Sequence, residues 1–175
     1  LRVKQPSVNA FKAQNKSLPI AVTIEDKVAC KRYAGVSITG VKIAESPQWL
    51  KDKLQAIGVR PISNIVDITN YVLHEMGQPL HAFDADAIRG NKVIVKTLPD
   101  QTIFVTLDEK ERKLHATDLM ICNEDEPMCI AGVFGGIKSG VTNKTQNIFL
   151  ESAWFNPASI RKTSFRHSLR TDAAT

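Results

Sequence analysis

Apolar and polar residues alternate with a period of two over much of this chain, a pattern that is typical of β-strands. The alternation predicts strands over 16–25, 33–43, 93–98, 103–107, 112–114, 119–122, 128–133 and 147–151. Charged and turn-forming residues at 108–110 and 123–127 lie between neighbouring strands and predict two hairpins. The pair Gly135-Gly136 predicts a turn.

Two segments combine helical spacing with the residues that commonly begin a helix. The first helix is predicted to start at Pro47 under a Ser46 cap and to stop at Gly58. Its predicted buried side consists of Leu50, Leu54 and Ile57. Near the C-terminus, Asn156-Pro157 predicts the start of a last helix, with Asn156 as its cap.

A further helix is predicted within 60–84, followed by a turn that leads to His81. Pro61 suits its first position, and Gly77 supplies a left-handed stop. The predicted buried stripe consists of Ile62, Ile65, Val66, Thr69, Val72, Leu73 and Met76. The pair Thr69-Asn70 and the histidine after the turn therefore lie on adjoining elements, where they can converge on one pocket wall.

Strands and helices in this order predict an α+β fold, with two interleaved lobes of mixed or antiparallel sheet and flanking helices. No internal repeat, low-complexity tract or linker divides the sequence. Residues 1–175 are therefore interpreted as a single domain, in which 1–28 form a lead-in segment.

Composition narrows the possible classes of function. The formal charge of +5 and the isoelectric point near 9.2 favour an RNA partner, although a soluble domain with a modest positive excess has the same composition. No apolar run has the length of a membrane span, and the N-terminus lacks the apolar region of a signal peptide. The three cysteines have no CxxC spacing and are interpreted as buried thiols in a reducing cytosol. The glycine patterns of phosphate-binding loops are absent.

Two ionisable residues are candidates for a site. Glu151 ends an apolar run, where a carboxylate needs a hydrogen-bond donor or a cation, and Arg161 is one possible partner. His81 is either a structural histidine or a site residue. A metal site at His81 and Asp84 is not predicted, because no third ligand stands at a recognisable spacing. Ser152 lacks the pattern of a nucleophile elbow, which argues against a covalent mechanism.

Four separated blocks of this sequence resemble one known family in the same order. They are Arg60–Asp84, Cys129–Gly136, Phe149–Ala153 and Arg170–Thr175. They are similar to the B3/B4 domain of the β subunit of bacterial phenylalanyl-tRNA synthetase, and the resemblance extends from about Lys31 to the C-terminus. It implies the B3/B4-type α+β fold, and it suggests that the chain is part of a larger β subunit.

The resemblance implies an editing hydrolase, which cleaves the ester of tyrosyl-tRNA(Phe) by attack of water. It assigns Glu151 to the phenolic hydroxyl of the wrong amino acid, and His81 to the orientation of the terminal adenosine or of the water. Thr69 and Asn70 are expected to hold the ammonium group, the carbonyl or the water. The other residues implied at the pocket are Ala131, Gly132, Thr171 and Ala173.

The resemblance also implies the partners and cofactors of the parent protein. The expected partners are mischarged tRNA(Phe), the α subunit and the other β-subunit domains of a cytoplasmic heterotetramer, without a membrane. No cofactor is expected in this domain, whereas ATP and Mg²⁺ are expected for the parent enzyme. The basic C-terminal segment at 161–170 is either a solvated helix face or a contact with tRNA phosphate. Two alternative functions are a non-catalytic scaffold and a free-standing deacylase.

Overall fold

The computed structural model of the chain describes residues 7–174. The start of the predicted lead-in segment, 1–6, and the last residue of the fourth block, Thr175, lie outside the described residues. Within this range the chain forms three helices and ten strands, together with short 3₁₀ turns, and they confirm the prediction of an α+β class.

The strands form three sheets that follow most of the predicted segments. The strands are β1 Ala21–Ile24, β2 Cys30–Thr39, β3 Leu80–Asp84, β4 Lys92–Thr97, β5 Ile103–Val105, β6 Glu111–Lys113, β7 Leu119–Cys122, β8 Pro127–Ile130, β9 Phe134–Gly135 and β10 Asn147–Phe155. A five-stranded sheet has the order β1-β4-β7-β8-β9, with β1 and β4 parallel and the other pairs antiparallel. An antiparallel sheet has the order β2-β10-β3, and β5 pairs with β6. Both predicted hairpins are present.

The glycine pair that was predicted to form a turn belongs to the sheet instead. Gly135 is part of β9 and pairs with Cys129, and Gly136 forms a bridge with Thr106. A Cβ atom on Gly136 would lie 2.6 Å from the Met128 carbonyl oxygen, so close sheet packing explains this glycine.

The three helices are α1 Gln48–Ala56, α2 Asn64–Met76 and α3 Pro157–His167. The predicted ends at Gly77 and Asn156 are confirmed: Gly77 has a φ of 69°, and the Asn156 side chain accepts from the N–H groups of Ala158 and Ser159. The predicted starts of the other two helices are wrong. Pro61 lies before α2, whose cap is Ser63, and Pro47 rather than Ser46 occupies the cap position of α1.

A buried carboxylate explains why these two helices begin elsewhere. Asp67 is fully buried on α2, where it accepts hydrogen bonds from the Ser46 hydroxyl at 2.5 Å and from the Ile62 N–H at 2.8 Å. The hydroxyl of Ser46 therefore joins α1 to α2 instead of capping α1.

The predicted buried faces of α1 and α2 are only partly correct. Leu50 and Leu54 are buried, but Ile57 is 54% exposed because α1 ends before it. On α2 only Thr69 of the predicted stripe is buried, and Met76 at its end is 49% exposed. Part of the stripe lines an open cavity rather than a core, as described below.

Two apolar cores lie on opposite faces of the five-stranded sheet. Alternate residues of β7 divide between them, so that Leu119 and Ile121 face one core and Met120 and Cys122 face the other. The first core also contains Phe83, Phe149 and Cys30 from the three-stranded sheet. The second contains Phe104, Leu114, Ile160 and Leu169, from the β5–β6 hairpin and from α3 and its end. The three cysteines are buried and free, as predicted.

A fully buried carboxylate fixes α3 to the sheet. Asp118 accepts from the Thr163 hydroxyl at 2.9 Å, from the His115 N–H at 2.9 Å and from His167 Nε2 at 2.7 Å, and it also pairs with Arg166. Burial raises the pKa of Asp118, but the hydrogen bonds from His115, His167 and Thr163 outweigh burial and lower this pKa. The ionised carboxylate is therefore part of the folded structure.

Within residues 7–174, none of the helices combines the length and the apolar character that a membrane crossing requires.

Candidate functional site

A cavity of about 820 Å³ lies where α2, β3, β10 and α3 meet the turn after β8. The candidate residues on its wall are Thr69, Asn70, His81, Gly132, Glu151 and Ala173. The predicted pocket wall of Thr69-Asn70 and His81 is therefore present, and part of the apolar stripe of α2, represented by Ile62 and Val66, belongs to the same wall. Ile62 is 72% exposed because it faces this open space.

The register of β10 brings the two ionisable candidates together. Strand β10 lies between β2 and β3, and Glu151 stands directly opposite His81 on β3 and Gly35 on β2. Directly opposed residues of antiparallel strands point to the same face, with Cβ atoms about 5 Å apart. A carboxylate and an imidazole thus stand side by side on the cavity wall.

The Glu151 carboxylate is buried and has one hydrogen-bond donor, the hydroxyl of Tyr33, at 2.5 Å from Oε2. The predicted alternative partner, Arg161, forms no ion pair with it in the described part of the chain and lies at the cavity wall instead. Burial raises the pKa of Glu151 to about 7, and the hydrogen bond from Tyr33 opposes this rise. Burial and the adjacent carboxylate also raise the pKa of Tyr33, so the phenol keeps its proton.

The second oxygen of Glu151 faces the cavity. Among residues 7–174 no side chain or N–H group donates to Oε1, and no buried side-chain oxygen or nitrogen of these residues lacks a partner. Oε1 is therefore accessible, and Glu151 lines the cavity. An ionised carboxylate only accepts hydrogen bonds, so this atom can receive the hydroxyl of a ligand.

His81 is an uncharged imidazole at neutral pH. Although His81 lines the cavity and is only partly buried, the surrounding protein desolvates its ring and lowers its pKa to about 4. Its ring packs edge-on against Phe83, with centroids 4.4 Å apart. A neutral ring of this kind can orient a water molecule or a ligand group, but it is a weak base.

The two polar candidates on α2 have different surroundings. The Thr69 hydroxyl donates to the carbonyl of Val66 at 2.7 Å, within its own helix. The Asn70 amide has no hydrogen-bond partner among the described residues and lines the cavity. Asn70 is therefore the better placed of the two for contacts with a ligand.

The small residues after β8 occupy two different positions. Ala131 is fully buried, its N–H donates to the Leu119 carbonyl at 2.9 Å, and it does not line the cavity. Gly132 lines the cavity with a φ of 65°, which favours glycine. Its N–H has no acceptor among the described residues.

The last candidates lie beside the cavity near the chain end. Ala173 lines it and is exposed. Thr171 donates from its hydroxyl to the Val133 carbonyl at 3.1 Å and so attaches this segment to the turn after β8. Within the described ranges, no group of three or more histidine, cysteine or carboxylate residues is arranged to hold a metal ion.

Sequence reasoning missed Tyr33, whose hydroxyl donates a hydrogen bond to the Glu151 carboxylate. The two residues are 118 positions apart, so spacing along the chain gives no indication of their contact. One signal was available: a tyrosine in a half-buried strand usually needs a partner for its hydroxyl.

Comparison with a family model identifies this domain type. A model described as B3/4 domain matches residues 29–175. A crystal structure of an N-terminal fragment of the phenylalanyl-tRNA synthetase beta-subunit from Pyrococcus horikoshii has the same fold. It aligns with a TM-score of 0.57 and 12% identity, over 93% of this chain and 51% of that chain. At this identity the likeness concerns the fold alone.

Comparison with curated proteins gives much higher identities. The phenylalanine–tRNA ligase beta subunit of Bacteroides thetaiotaomicron is 60% identical over 172 residues, which are 98% of this chain and 21% of that protein. The corresponding subunit of Bacteroides fragilis is 59% identical over 170 residues, which are 97% of this chain and 21% of that protein. The chain therefore spans about a fifth of the length of these relatives.

Proposed function

The chain belongs to the B3/4 domain family, and on this basis we propose that it is the editing domain of a phenylalanine–tRNA ligase beta subunit. Its reaction would be the hydrolysis of tyrosine that has been attached wrongly to tRNA(Phe). A phenylalanine pocket rejects an added hydroxyl only weakly, so a second site with the opposite preference raises accuracy.

The observation that carries this proposal is that Oε1 of Glu151 faces the cavity and receives no hydrogen bond from the described residues. A buried carboxylate with one oxygen held by Tyr33 and the other facing a cavity is suited to a ligand that carries a hydroxyl. Tyrosine would donate its phenolic hydroxyl to Oε1. Phenylalanine would displace water from Oε1 without replacing the hydrogen bond, which is unfavourable.

The proposed reaction needs no covalent intermediate with the protein. The oxygen of a water molecule forms a bond to the ester carbonyl carbon, and the bond between that carbon and the ribose oxygen breaks. The ribose oxygen takes up a proton, and tyrosine and uncharged tRNA leave. His81 would orient the water or the terminal adenosine, Asn70 and Thr69 would hold the amino acid, and the Gly132 N–H would donate to the developing oxyanion.

In this proposal the partners and cofactors are those of the parent protein. The partners are mischarged tRNA(Phe), an α subunit and the other β-subunit domains of a cytoplasmic heterotetramer. ATP and Mg²⁺ would act in amino acid attachment, at a site other than this cavity. The roles of Ala131, Thr171 and Ala173 would be to shape the cavity and its edge.

The test is tyrosine release from tyrosyl-tRNA(Phe) by the ligase that carries this domain. Glu151→Ala is expected to reduce the preference for the tyrosyl over the phenylalanyl ester at least about 100-fold, because the hydroxyl loses its acceptor. The measurement is kcat/KM for release of each amino acid, after subtraction of spontaneous hydrolysis.

A matched control is Glu75→Ala. Glu75 is exposed on α2 and also accepts a hydrogen bond from a tyrosine, Tyr71, at 2.9 Å. This variant is expected to keep the preference of the unchanged enzyme. Tyrosine release at the spontaneous rate by the unchanged enzyme would contradict the editing function and favour a scaffold role.

Gly135 provides a test of the position of His81. A Cβ atom on Gly135 would lie 2.9 Å from Leu107 Cδ1 and 3.1 Å from His81 Cε1, so alanine must displace the imidazole or the leucine. Gly135→Ala is expected to slow tyrosine release by about 10- to 100-fold, the range for a small displacement of a positioning group.

Gly140→Ala is the comparison for this variant. Its Cβ atom would lie 3.0 Å from Leu107 Cδ2, and no histidine atom lies within contact distance of it. It therefore disturbs the same leucine and leaves His81 in place, and a clearly smaller loss of rate is expected. Equal losses in the two variants would argue against a role for the imidazole position.

A further inference from the structure

Tyr33 is held in place by the core and does not itself line the cavity. Its ring stacks on Phe149, with centroids 6.5 Å apart and an angle of 13° between the ring planes. Phe149 is buried and lies over Gly35, where a Cβ atom would be only 2.1 Å from the phenylalanine ring. Because this glycine leaves room for Phe149, the phenol has a fixed platform on the side of Glu151 away from the cavity.

The register aims the Tyr33 hydroxyl at Glu151. Tyr33 pairs with Ala153 on β10, which lies two residues from Glu151 on the same face. This diagonal arrangement is within reach of an aromatic side chain. The result is the hydrogen bond of 2.5 Å from the Tyr33 hydroxyl to Oε2, which leaves Oε1 toward the cavity.

We infer that Tyr33 is a specificity-determining positioning residue, which holds Oε2 so that only Oε1 of Glu151 is presented to the hydroxyl of a tyrosyl ligand. This inference rests on the proposed editing function. One carboxylate then accepts from two phenols, one that belongs to the protein and one that belongs to the ligand. A carboxylate fixed in this way loses little rotational freedom when the ligand binds.

Loss of the Tyr33 hydroxyl has two expected consequences. The carboxylate becomes free to rotate, and a protein group that favours its ionised form is removed. The titratable groups beside Glu151 are Tyr33 and Cys30 on β2, His81 on β3 and Cys129 on β8. Arg161 on α3 lines the same cavity. Burial raises the pKa of both cysteines, to about 11 for Cys30, so they stay neutral while Glu151 titrates.

The experiment compares Tyr33→Phe with the unchanged ligase. The ratio of kcat/KM for tyrosine release to that for phenylalanine release is measured from well below to well above pH 7, the approximate pKa of Glu151. The ratio should fall about 10-fold, the usual effect of losing one hydrogen bond to a charged group. The pH at which tyrosine preference reaches half of its maximum should move upward. Because both rates come from one preparation, the ratio is insensitive to partial unfolding.

Tyr71→Phe is the matched control, since Tyr71 is the other tyrosine of the chain and donates to the exposed Glu75. It should change neither the ratio nor the midpoint. If the unchanged enzyme prefers the tyrosyl ester and Tyr33→Phe keeps both ratio and midpoint, the inference is wrong and the proposed function stands. A lower ratio with an unmoved midpoint also overturns it, because a general structural disturbance has that effect. Spontaneous release alone by the unchanged enzyme overturns both.

Discussion

Asp118→Asn is expected to lower the free energy of unfolding of this chain by about 3–5 kcal/mol, the usual cost of removing one partner of a buried ion pair. Asp118 is fully buried and receives four donors, from His115, Thr163, Arg166 and His167. Asparagine has nearly the same shape, but its NH₂ group would oppose at least one of these donors. Urea unfolding at neutral pH measures the change.

Glu124→Gln is the control for this prediction. Glu124 accepts from Lys92 Nζ at 2.7 Å, but about half of each side chain is exposed. The same change from carboxylate to amide should therefore cost less than about 1 kcal/mol at this surface pair. If the two variants lost similar amounts of unfolding free energy, the buried hydrogen bonds of Asp118 would not be what holds α3 in place.

Glu151→Gln is expected to make the chain more stable than the unchanged protein above pH 7, by about 3 kcal/mol. The pKa of Glu151 rises from 4.5 in the unfolded chain to about 7 in the fold, so the folded state binds this proton more tightly. The stabilising contribution of the neutral carboxyl group is complete below pH 4.5 and is lost as the pH rises to about 7. Glutamine resembles the neutral form and avoids the loss.

The measurement is the difference in unfolding free energy between the two proteins at several pH values. The difference should grow between pH 4.5 and about pH 7 and stay constant above that. Glu75→Gln, at the exposed carboxyl that accepts from Tyr71, should change stability by less than about 1 kcal/mol throughout. A flat difference for Glu151→Gln would show that its carboxylate is well solvated in the fold. A destabilising carboxylate is typical of residues that are retained for function.

The hairpins and the start of α3 were predictable because their signals are local. The turn residues of β5–β6 and the Asn156 cap act on atoms within a few positions of themselves. The starts of α1 and α2 were not predictable in this way. Ser46 and the segment before α2 meet at Asp67, and a buried partner from another part of the chain outweighs the capping preference.

The candidate site shows the same division between local and distant contacts. Thr69, Asn70 and His81 share a wall because one helix and the turn after it place them together. The pairing of His81 with Glu151 depends on the alignment of β3 with β10, and no spacing between two such distant strands reveals it. The contact with Tyr33 is hidden for the same reason, since its strand lies on the other side of β10.

The central place of β10 limits how this domain can change during evolution. A one-residue shift in the register of β10 would turn Glu151 away from His81 and would also turn Phe149 out of the core. Selection on folding therefore protects the alignment of the site, even in lineages where the site itself is under little selection. Variation in length is expected to accumulate instead in the turns at 108–110 and 123–126, outside the register that the three strands share.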